Sequence, residues 1–170
     1  MARALIVGCG CRGRELGERL LGEGWAVRGT SRREEALAAI EAAGIEPALA
    51  DPDRPGTILE LVGDVAVLVL LLGGVSGSDE ELAAVHGLRL ERLMEHLVDT
   101  PVRGVVYEGT ERGDEIVRAA SRTWRIPVRT ISASLSRTTY MGVRDRLASE
   151  VAAVLAGETK ELNSDKNSGN

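Results

Sequence analysis

The chain has 170 residues, of which 44% are apolar and 28% are charged, and this is enough for one globular domain with its own core. Its formal net charge is −5, and 21 basic residues are scattered among 26 acidic ones, which excludes a broad basic surface for nucleic acid. Apolar runs fall short of the roughly 18 residues of a membrane span, and the first residues do not resemble a secretory signal. We therefore expect a cytoplasmic protein.

Lysine is confined to the last part of the chain, where Lys160 and Lys166 lie in a polar stretch. Because an arginine guanidinium stays protonated, the lysine-free remainder excludes Schiff-base chemistry and a phosphate-loop lysine. The composition predicts one domain over residues 1–156 and a polar, mobile tail over residues 157–170.

The first apolar run, residues 4–7, enters the sequence GCGCRG, after which leucines recur at helical spacing. This pattern predicts a strand, a glycine turn and a helix. A second strand is predicted at residues 25–29. Ser31 and Glu34 then have the spacing of a capping box, which predicts a helix that continues to Ala43.

The strand and helix pattern continues to alternate. Further strands are predicted at residues 45–50, 65–72, 102–107 and 127–131, and helices at residues 55–62, 78–97, 114–124 and 141–155. Ser78 and Glu81 form a second capping box. The run at 65–72 is apolar at every position, which is typical of a central parallel strand. We expect an α/β, Rossmann-like doubly wound parallel sheet of about six strands in the order 3-2-1-4-5-6, with a ligand crevice where strands one and four end.

The glycine turn has the GxGxxG spacing, and its position between a strand and a helix makes it a specific signal for a dinucleotide. Gly8 permits the tight turn, Gly10 lets a pyrophosphate approach the backbone, and Gly13 lets the helix pack on the strand. Cys11 and Arg12 lie within the same turn, where the helix N-terminus favours an anion.

The end of the second strand distinguishes between the two nicotinamide dinucleotides. An NAD site usually has a carboxylate there, whereas this chain has Thr30, Ser31, Arg32 and Arg33. The hydroxyls and guanidinium groups suit a 2′-phosphate, with Arg28 or Arg12 as further partners. This predicts NADP(H) in preference to NAD(H). The alternative is that Ser31 only caps a helix and the arginines are only solvated.

Residues 5–53, from the glycine turn to the ADPD turn, resemble the extended or atypical short-chain dehydrogenase/reductases, including NAD(P)-dependent epimerase/dehydratase-like proteins. The resemblance implies that Asp51 lies near the adenine and that Leu72, Gly73 and Gly74 pass the cofactor ribose. It also implies that IPVRTI forms the sixth strand and that two copies can associate through helices as a homodimer.

The chain departs from that family where catalysis is expected. Family members carry a Tyr-x-x-x-Lys helix after strand five, but residues 110–124 contain neither Tyr nor Lys. Tyr140 and Arg144 imitate the spacing too late in the chain, and we interpret Tyr140 as a packing residue. The candidates near the end of strand five are Tyr107, Glu108 and Thr110, of which Glu108 is the best proton-transfer group.

The remaining reactive side chains predict no further chemistry. Cys9 and Cys11 are too close in sequence for an unstrained mutual disulfide, and we expect reduced thiols that pack beside glycines, with redox sensing as the alternative. His86 and His96 lack the spacing of a metal pair on one helix, and we expect both to be partly exposed. No metal site is predicted.

Three functions remain open from the sequence. The first is an NADP(H)-dependent oxidoreductase or epimerase-like enzyme without the usual dyad, acting on an unidentified small molecule. The second is a non-catalytic module that binds NADP(H) to sense it or to regulate a partner. The third is a scaffold that binds another nucleotide or nothing.

Overall fold

A computed structural model describes residues 1–132 and 143–157. In these residues six parallel strands form one sheet in the order β3-β2-β1-β4-β5-β6, which confirms the predicted doubly wound arrangement. The strands are Arg3–Val7 (β1), Ala26–Ser31 (β2), Glu46–Leu49 (β3), Val67–Leu71 (β4), Gly104–Gly109 (β5) and Val128–Ser132 (β6).

Helices connect successive strands and cover both faces of the sheet. They are Cys11–Gly22 (α1), Leu37–Ala42 (α2), Pro55–Leu59 (α3), Asp79–Val85 (α4), Leu88–His96 (α5), Glu111–Trp124 (α6) and Val143–Leu155 (α7). Short 3-10 turns at Glu34–Ala36 and Leu97–Asp99 precede α2 and follow α5. Tyr140 and the first two residues of the predicted last helix lie outside the described part of the chain.

The core has two halves, one on each face of the sheet. All five residues of β4 are buried, and Leu68 and Leu70 face one half while Val67, Val69 and Leu71 face the other. This confirms the central position predicted from the uninterrupted apolar run, because such a strand must pack against helices on both faces. In the described ranges, no helix combines the length and apolar character needed to cross a membrane.

The helix predicted at residues 78–97 is in fact two helices. The capping box that opens α4 is confirmed, with the Ser78 hydroxyl accepting from the Glu81 N–H and the Glu81 carboxylate accepting from the Ser78 N–H. The helical conformation is interrupted at His86 and Gly87, between the end of α4 and the start of α5. A Cβ on Gly87 would lie 2.5 Å from the Ala83 carbonyl oxygen. The break turns the His86 side chain into the core, which a continuous helix pattern does not reveal.

The other predicted capping box, at Ser31 and Glu34, is wrong. Ser31 is still part of β2, and its hydroxyl accepts from the Arg33 N–H at 3.1 Å. Arg33 occupies the cap position before the 3-10 turn, without a side-chain cap. The spacing matched the motif, but the strand continues two residues beyond its predicted end.

Charged residues at the amino end of the sheet pair with one another. Arg28 contacts Glu46 at 3.0 Å and Asp64 at 2.9 Å, and Arg3 pairs with both carboxylates. Burial opposes the charged form of Arg28, but its hydrogen bonds to Asp64 and Glu46 outweigh that effect, so the pKa of Arg28 is raised. Arg28 therefore belongs to this amino-end cluster, and its predicted role beside a phosphate at the carboxyl end is wrong.

Candidate functional site

A cleft of about 540 Å³ lies at the carboxyl ends of β1 and β2, beside the first turn of α1. It is where the strand order predicts a ligand crevice. Its walls come from the glycine turn, the end of β2 and the segments after β3 and β4, and consist of Gly8, Cys9, Gly10, Cys11, Arg12, Gly13, Arg14, Thr30, Ser31, Arg32, Arg33, Ala36, Ala50, Pro52, Leu71, Gly74, Val75 and Ser76.

Each glycine of the turn meets a different constraint. Gly8 has a φ of +79°, and a Cβ there would lie 2.5 Å from the Leu71 carbonyl oxygen, so both conformation and space demand glycine. A Cβ on Gly13 would lie 3.2 Å from the Gly8 carbonyl oxygen, because α1 packs closely on the turn. A Cβ on Gly10 would meet nothing within 4 Å, so internal packing does not require glycine at this position of the cleft wall.

The two cysteines of the turn have different surroundings. Cys9 is buried, and a Cβ on Gly29 would lie 2.6 Å from its sulfur, which confirms that this thiol packs beside glycines. Burial raises the pKa of Cys9 to about 12, against an opposing effect of Arg14, so this thiol is unreactive near neutral pH. Cys11 is exposed and lines the cleft.

The end of β2 brings hydroxyl and guanidinium groups to the opposite side of the cleft. Arg32 donates to the Ser76 carbonyl oxygen at 3.2 Å, and Arg33 lies 3.9 Å from Glu35 with 74% of its side chain exposed. Thr30 is 1% exposed, and its Oγ1 has no hydrogen-bond partner among residues 1–132 and 143–157. A buried hydroxyl without a partner is costly, which makes Thr30 a candidate contact for a bound polar group.

Arg12 and Glu108 form an ion pair between α1 and the end of β5. The Arg12 Nη2 donates to one carboxylate oxygen at 2.8 Å, and Nη1 donates to the other. The Glu108 side chain is fully buried, whereas 30% of the Arg12 side chain is exposed at the cleft. The sequence predicts separate roles for these two residues and does not predict their contact.

Tyr107 and Thr110 belong to a structural network below the carboxyl end of β5. The Tyr107 hydroxyl lies 2.8 Å from His86 Nδ1 and accepts from the Thr110 N–H at 3.0 Å, while the Thr110 hydroxyl caps α6 by accepting from the Gly113 N–H. Tyr107 is fully buried and His86 is 6% exposed, so the prediction of a partly exposed His86 is wrong.

Burial changes the acidity of both ring side chains in this network. It lowers the pKa of His86, against a smaller opposing effect of a hydrogen bond to the Leu72 backbone. It raises the pKa of Tyr107, although hydrogen bonding to Thr110 opposes that change. Both groups are therefore neutral at pH 7, and the sequence offered no signal for this network beyond a histidine on a helix.

Three of the predicted cofactor contacts do not line the cleft. Asp51 is held in its own turn, where its Oδ1 accepts from the Asp53 N–H at 3.0 Å, and its neighbours Ala50 and Pro52 form the wall instead. Leu72 and Gly73 are also absent from the wall, to which Gly74 contributes. Arg14 lines the cleft as well, and the sequence does not predict this although Arg14 lies only one residue beyond the glycine turn.

A smaller pocket of about 360 Å³ lies at the carboxyl ends of β5 and β6. Its lining includes Thr110, Asp114 and Thr130, and Arg118 connects the last two through contacts of 3.0 Å and 2.7 Å. No three His, Cys, Asp or Glu side chains gather as a metal site within the two described ranges.

Comparison with known proteins gives a result at the level of fold. No protein-family model matches the chain, and no curated protein matches it in sequence. Solved structures do match: a short-chain dehydrogenase/reductase superfamily protein from Agrobacterium tumefaciens with bound NAD has a TM-score of 0.61 at 17% identity, over 75% of this chain and 48% of that one. The chain has the fold of the short-chain dehydrogenase/reductases.

Two other solved structures resemble the chain over a similar share of its length. A point mutant of UDP-glucuronic acid 4-epimerase from Bacillus cereus, in complex with UDP-4-deoxy-4-fluoro-glucuronic acid and NAD, has a TM-score of 0.61 at 13% identity, covering 76% of this chain and 55% of its own. Triphenylmethane reductase from Citrobacter sp. has a TM-score of 0.59 at 19% identity, covering 76% and 48%. The chain spans about half the length of these structures, and the resemblance stated from the sequence is confirmed for the fold.

Proposed function

We propose that this protein binds NADP(H) in the cleft between the glycine turn and the end of β2. The observation that carries the proposal is the pairing of an open approach over Gly10 with two arginines across the cleft. A dinucleotide needs both features, because its diphosphate must approach a backbone closely and a 2′-phosphate must meet positive charge.

The turn and α1 fit the diphosphate part of such a ligand. α1 has 12 residues and begins directly after Gly10, so its first N–H groups and its dipole favour an anion at this end of the cleft. The space beside Gly10 is open, and Thr30 offers a buried hydroxyl on the other side. When bound, the nicotinamide group would supply hydride transfer, whereas the residues of the chain bind and orient it.

The residues at the end of β2 support NADP(H) over NAD(H). Residues 30–33 contain two hydroxyls, two guanidinium groups and no carboxylate that would repel a 2′-phosphate. Arg33 is exposed enough to reach a ligand phosphate. Two of the similar structures contain NAD, so this preference is a property that we propose from the residues of this chain.

An oxidoreductase or epimerase-like activity is the second candidate function. The smaller pocket at the ends of β5 and β6 favours it, because its hydroxyl and carboxylate groups suit a polar small molecule. Against it, Tyr107 is fully buried and the Thr110 hydroxyl caps α6, so the predicted hydroxyl candidates serve the fold. Binding without Tyr-and-Lys-dependent catalysis, as in a sensing module, is therefore the function we favour.

Titration with NADPH and NADH tests the proposal directly, with nicotinamide fluorescence and calorimetry as readouts. We expect saturable binding with NADPH preferred. An Arg32→Ala, Arg33→Ala double variant should weaken NADPH by roughly ten- to a hundredfold, because charge-assisted hydrogen bonds to the 2′-phosphate are lost. NADH, which lacks that phosphate, should bind the variant nearly as well as it binds the unmodified protein.

A matched control separates this effect from a change in overall charge. Arg103 and Arg122 are exposed and lie outside the cleft wall, and an Arg103→Ala, Arg122→Ala variant should retain the preference for NADPH. A double variant at 32 and 33 that still prefers NADPH would contradict the assignment of those two arginines. Failure of the unmodified protein to bind either dinucleotide would reject the proposed function and favour the scaffold interpretation.

A further inference from the structure

We infer that Glu108 is a positioning residue that fixes Arg12 as a ligand for the diphosphate group, and this role rests on the proposed function. From the sequence, Glu108 is a candidate for proton transfer and Arg12 is one of several possible phosphate contacts. In their pairing, Glu108 holds Arg12, and Arg12 would bind the diphosphate. Arg32 and Arg33 would bind the 2′-phosphate.

The geometry of the pair holds the guanidinium in one orientation. Two N–H groups of Arg12 donate to the two oxygens of Glu108, and such bidentate pairing restricts both rotation and displacement. Arg12 is the second residue of α1, within the turn where the diphosphate is expected. A Cβ on Gly74 would lie 3.9 Å from Arg12 Nη2, so the guanidinium lies close to the loop after β4.

The burial of Glu108 makes the pair persistent. Its side chain is fully buried, so a departure of Arg12 toward a ligand would break two charge-assisted hydrogen bonds in the core, which is unfavourable. Arg12 must therefore meet the diphosphate while still bound to Glu108. A carboxylate that is fully buried and engaged through both oxygens is also poorly placed to exchange a proton with a substrate.

The two charges of the pair lie at different depths. With 30% of the Arg12 side chain exposed and none of the Glu108 side chain, the positive group is nearer the cleft and the negative group lies behind it. The pair therefore presents a positive end to the ligand although its net charge is zero. If charge alone mattered, removal of the carboxylate would strengthen anion binding, whereas the positioning role predicts that binding weakens.

Two nucleotide fragments separate this role from a general loss of the cleft. ADP carries a diphosphate and no 2′-phosphate, whereas adenosine 2′-monophosphate carries the 2′-phosphate and no diphosphate. For a Glu108→Gln variant of the full chain we expect calorimetry to show ADP binding weakened about fivefold to tenfold. Adenosine 2′-monophosphate should bind within about twofold of its original affinity.

Two further variants test position independently of charge and fold. Glu108→Asp keeps the negative charge but withdraws it by one methylene group, so ADP should again weaken while the fragment with only the 2′-phosphate does not. Because Glu108→Asp retains a carboxylate beside Arg12, it replaces Glu108→Gln in this test if that variant fails to fold. Glu115 is exposed on α6, and Glu115→Gln, as the control, should change neither affinity.

A coupling measurement shows whether Glu108 acts through Arg12. In an Arg12→Ala background, Glu108→Gln should cause no further loss of ADP affinity, since the group that it positions is gone. Equal weakening of both fragments, unchanged ADP binding or tighter ADP binding in the Glu108 variants would overturn the positioning role. Those outcomes leave the proposed function intact, because the unmodified protein still binds. An unmodified protein that binds neither the fragments nor either dinucleotide rejects both the positioning role and the proposed function.

Discussion

Gly8 and Gly10 are two residues apart, but they serve different purposes. Gly8 has a positive φ, and a Cβ at this position would lie 2.5 Å from the Leu71 carbonyl oxygen. Its replacement therefore disturbs the fold. Gly10 has a φ of −79°, so its backbone lacks the positive φ that favours glycine. A methyl group at Gly10 would therefore occupy only the space that we assign to the ligand.

We expect Gly10→Ala to leave the unfolding midpoint within about 2 °C of the original while weakening both dinucleotides at least about tenfold. The reason is that the methyl group blocks the approach of the diphosphate without an internal clash. Thermal unfolding and calorimetry provide the two readouts. Gly22→Ala, at the other end of α1 and also without contacts within 4 Å, is the control; equal affinities in the two variants would contradict the assigned approach.

Residues that act through local sequence were predictable, and residues that act through distant partners were not. The glycines of the turn and Arg32 line the cleft, and their positions are predictable because the sequence motif and the preceding strands define them. The pairing of Arg12 with Glu108 joins residues 96 positions apart in the sequence. A carboxylate at the end of the apolar strand VVYEG was the available signal, but it did not identify which arginine compensates it.

At the scale of elements, the break between α4 and α5 has a consequence for stability. The break buries His86 against Tyr107, and burial lowers the pKa of His86. In the unfolded chain a histidine titrates near its ordinary pKa of about 6.5. The unfolded state therefore takes up the proton first on acidification, and this histidine contributes most to stability above that pH.

We expect the free energy of unfolding to decrease as the pH falls from 7.5 to 5.5, with His86 contributing up to about 1.4 kcal/mol per pH unit. A His86→Gln variant, which does not titrate, should lose that part of the slope in urea unfolding measured at several pH values. His96 is exposed on α5, and His96→Gln should retain the slope. Identical slopes for the His86 variant and the unmodified protein would contradict the role of the buried ring.

Element types were predictable from hydrophobic patterning, whereas some boundaries were not. The pattern over residues 78–97 is helical throughout because α4 and α5 are both amphipathic. The break between them depends on the backbone at Gly87, where a Cβ would lie 2.5 Å from the Ala83 carbonyl oxygen, and on the contact of His86 with Tyr107. The second of these is a tertiary contact. The error at Ser31 has a similar origin, because pairing with β3 extends β2 through the residue expected to cap a helix.

At the scale of the whole molecule, α7 closes one half of the core. Leu147, Val151 and Val154 pack in the same cluster as Val106 and Ile131, and a Cβ on Gly104 would lie 2.7 Å from a Val154 methyl carbon. Arg129 of β6 also pairs with the buried Glu150 of α7. The helix is therefore part of the domain that the sequence predicts over residues 1–156.

We expect a chain shortened to residue 157 to unfold within about 2 °C of the full chain, because the removed residues are polar in composition. A chain shortened to residue 142 should fail to unfold cooperatively, since each large apolar side chain lost from the core removes about 2 kcal/mol. Differential scanning calorimetry checks both. A large loss of stability in the first chain would show that residues 158–170 contribute to the fold.

The sheet order was predictable because right-handed crossovers and a central apolar strand leave few arrangements. The same order has a consequence for how the chain folds. β1 pairs with β2 soon after it is made, but its other neighbour is β4, with Ala4 opposite Val67. During synthesis one edge of the apolar β1 strand remains open until β4 has emerged from the ribosome. Such non-local pairing slows folding and leaves nascent chains exposed to aggregation.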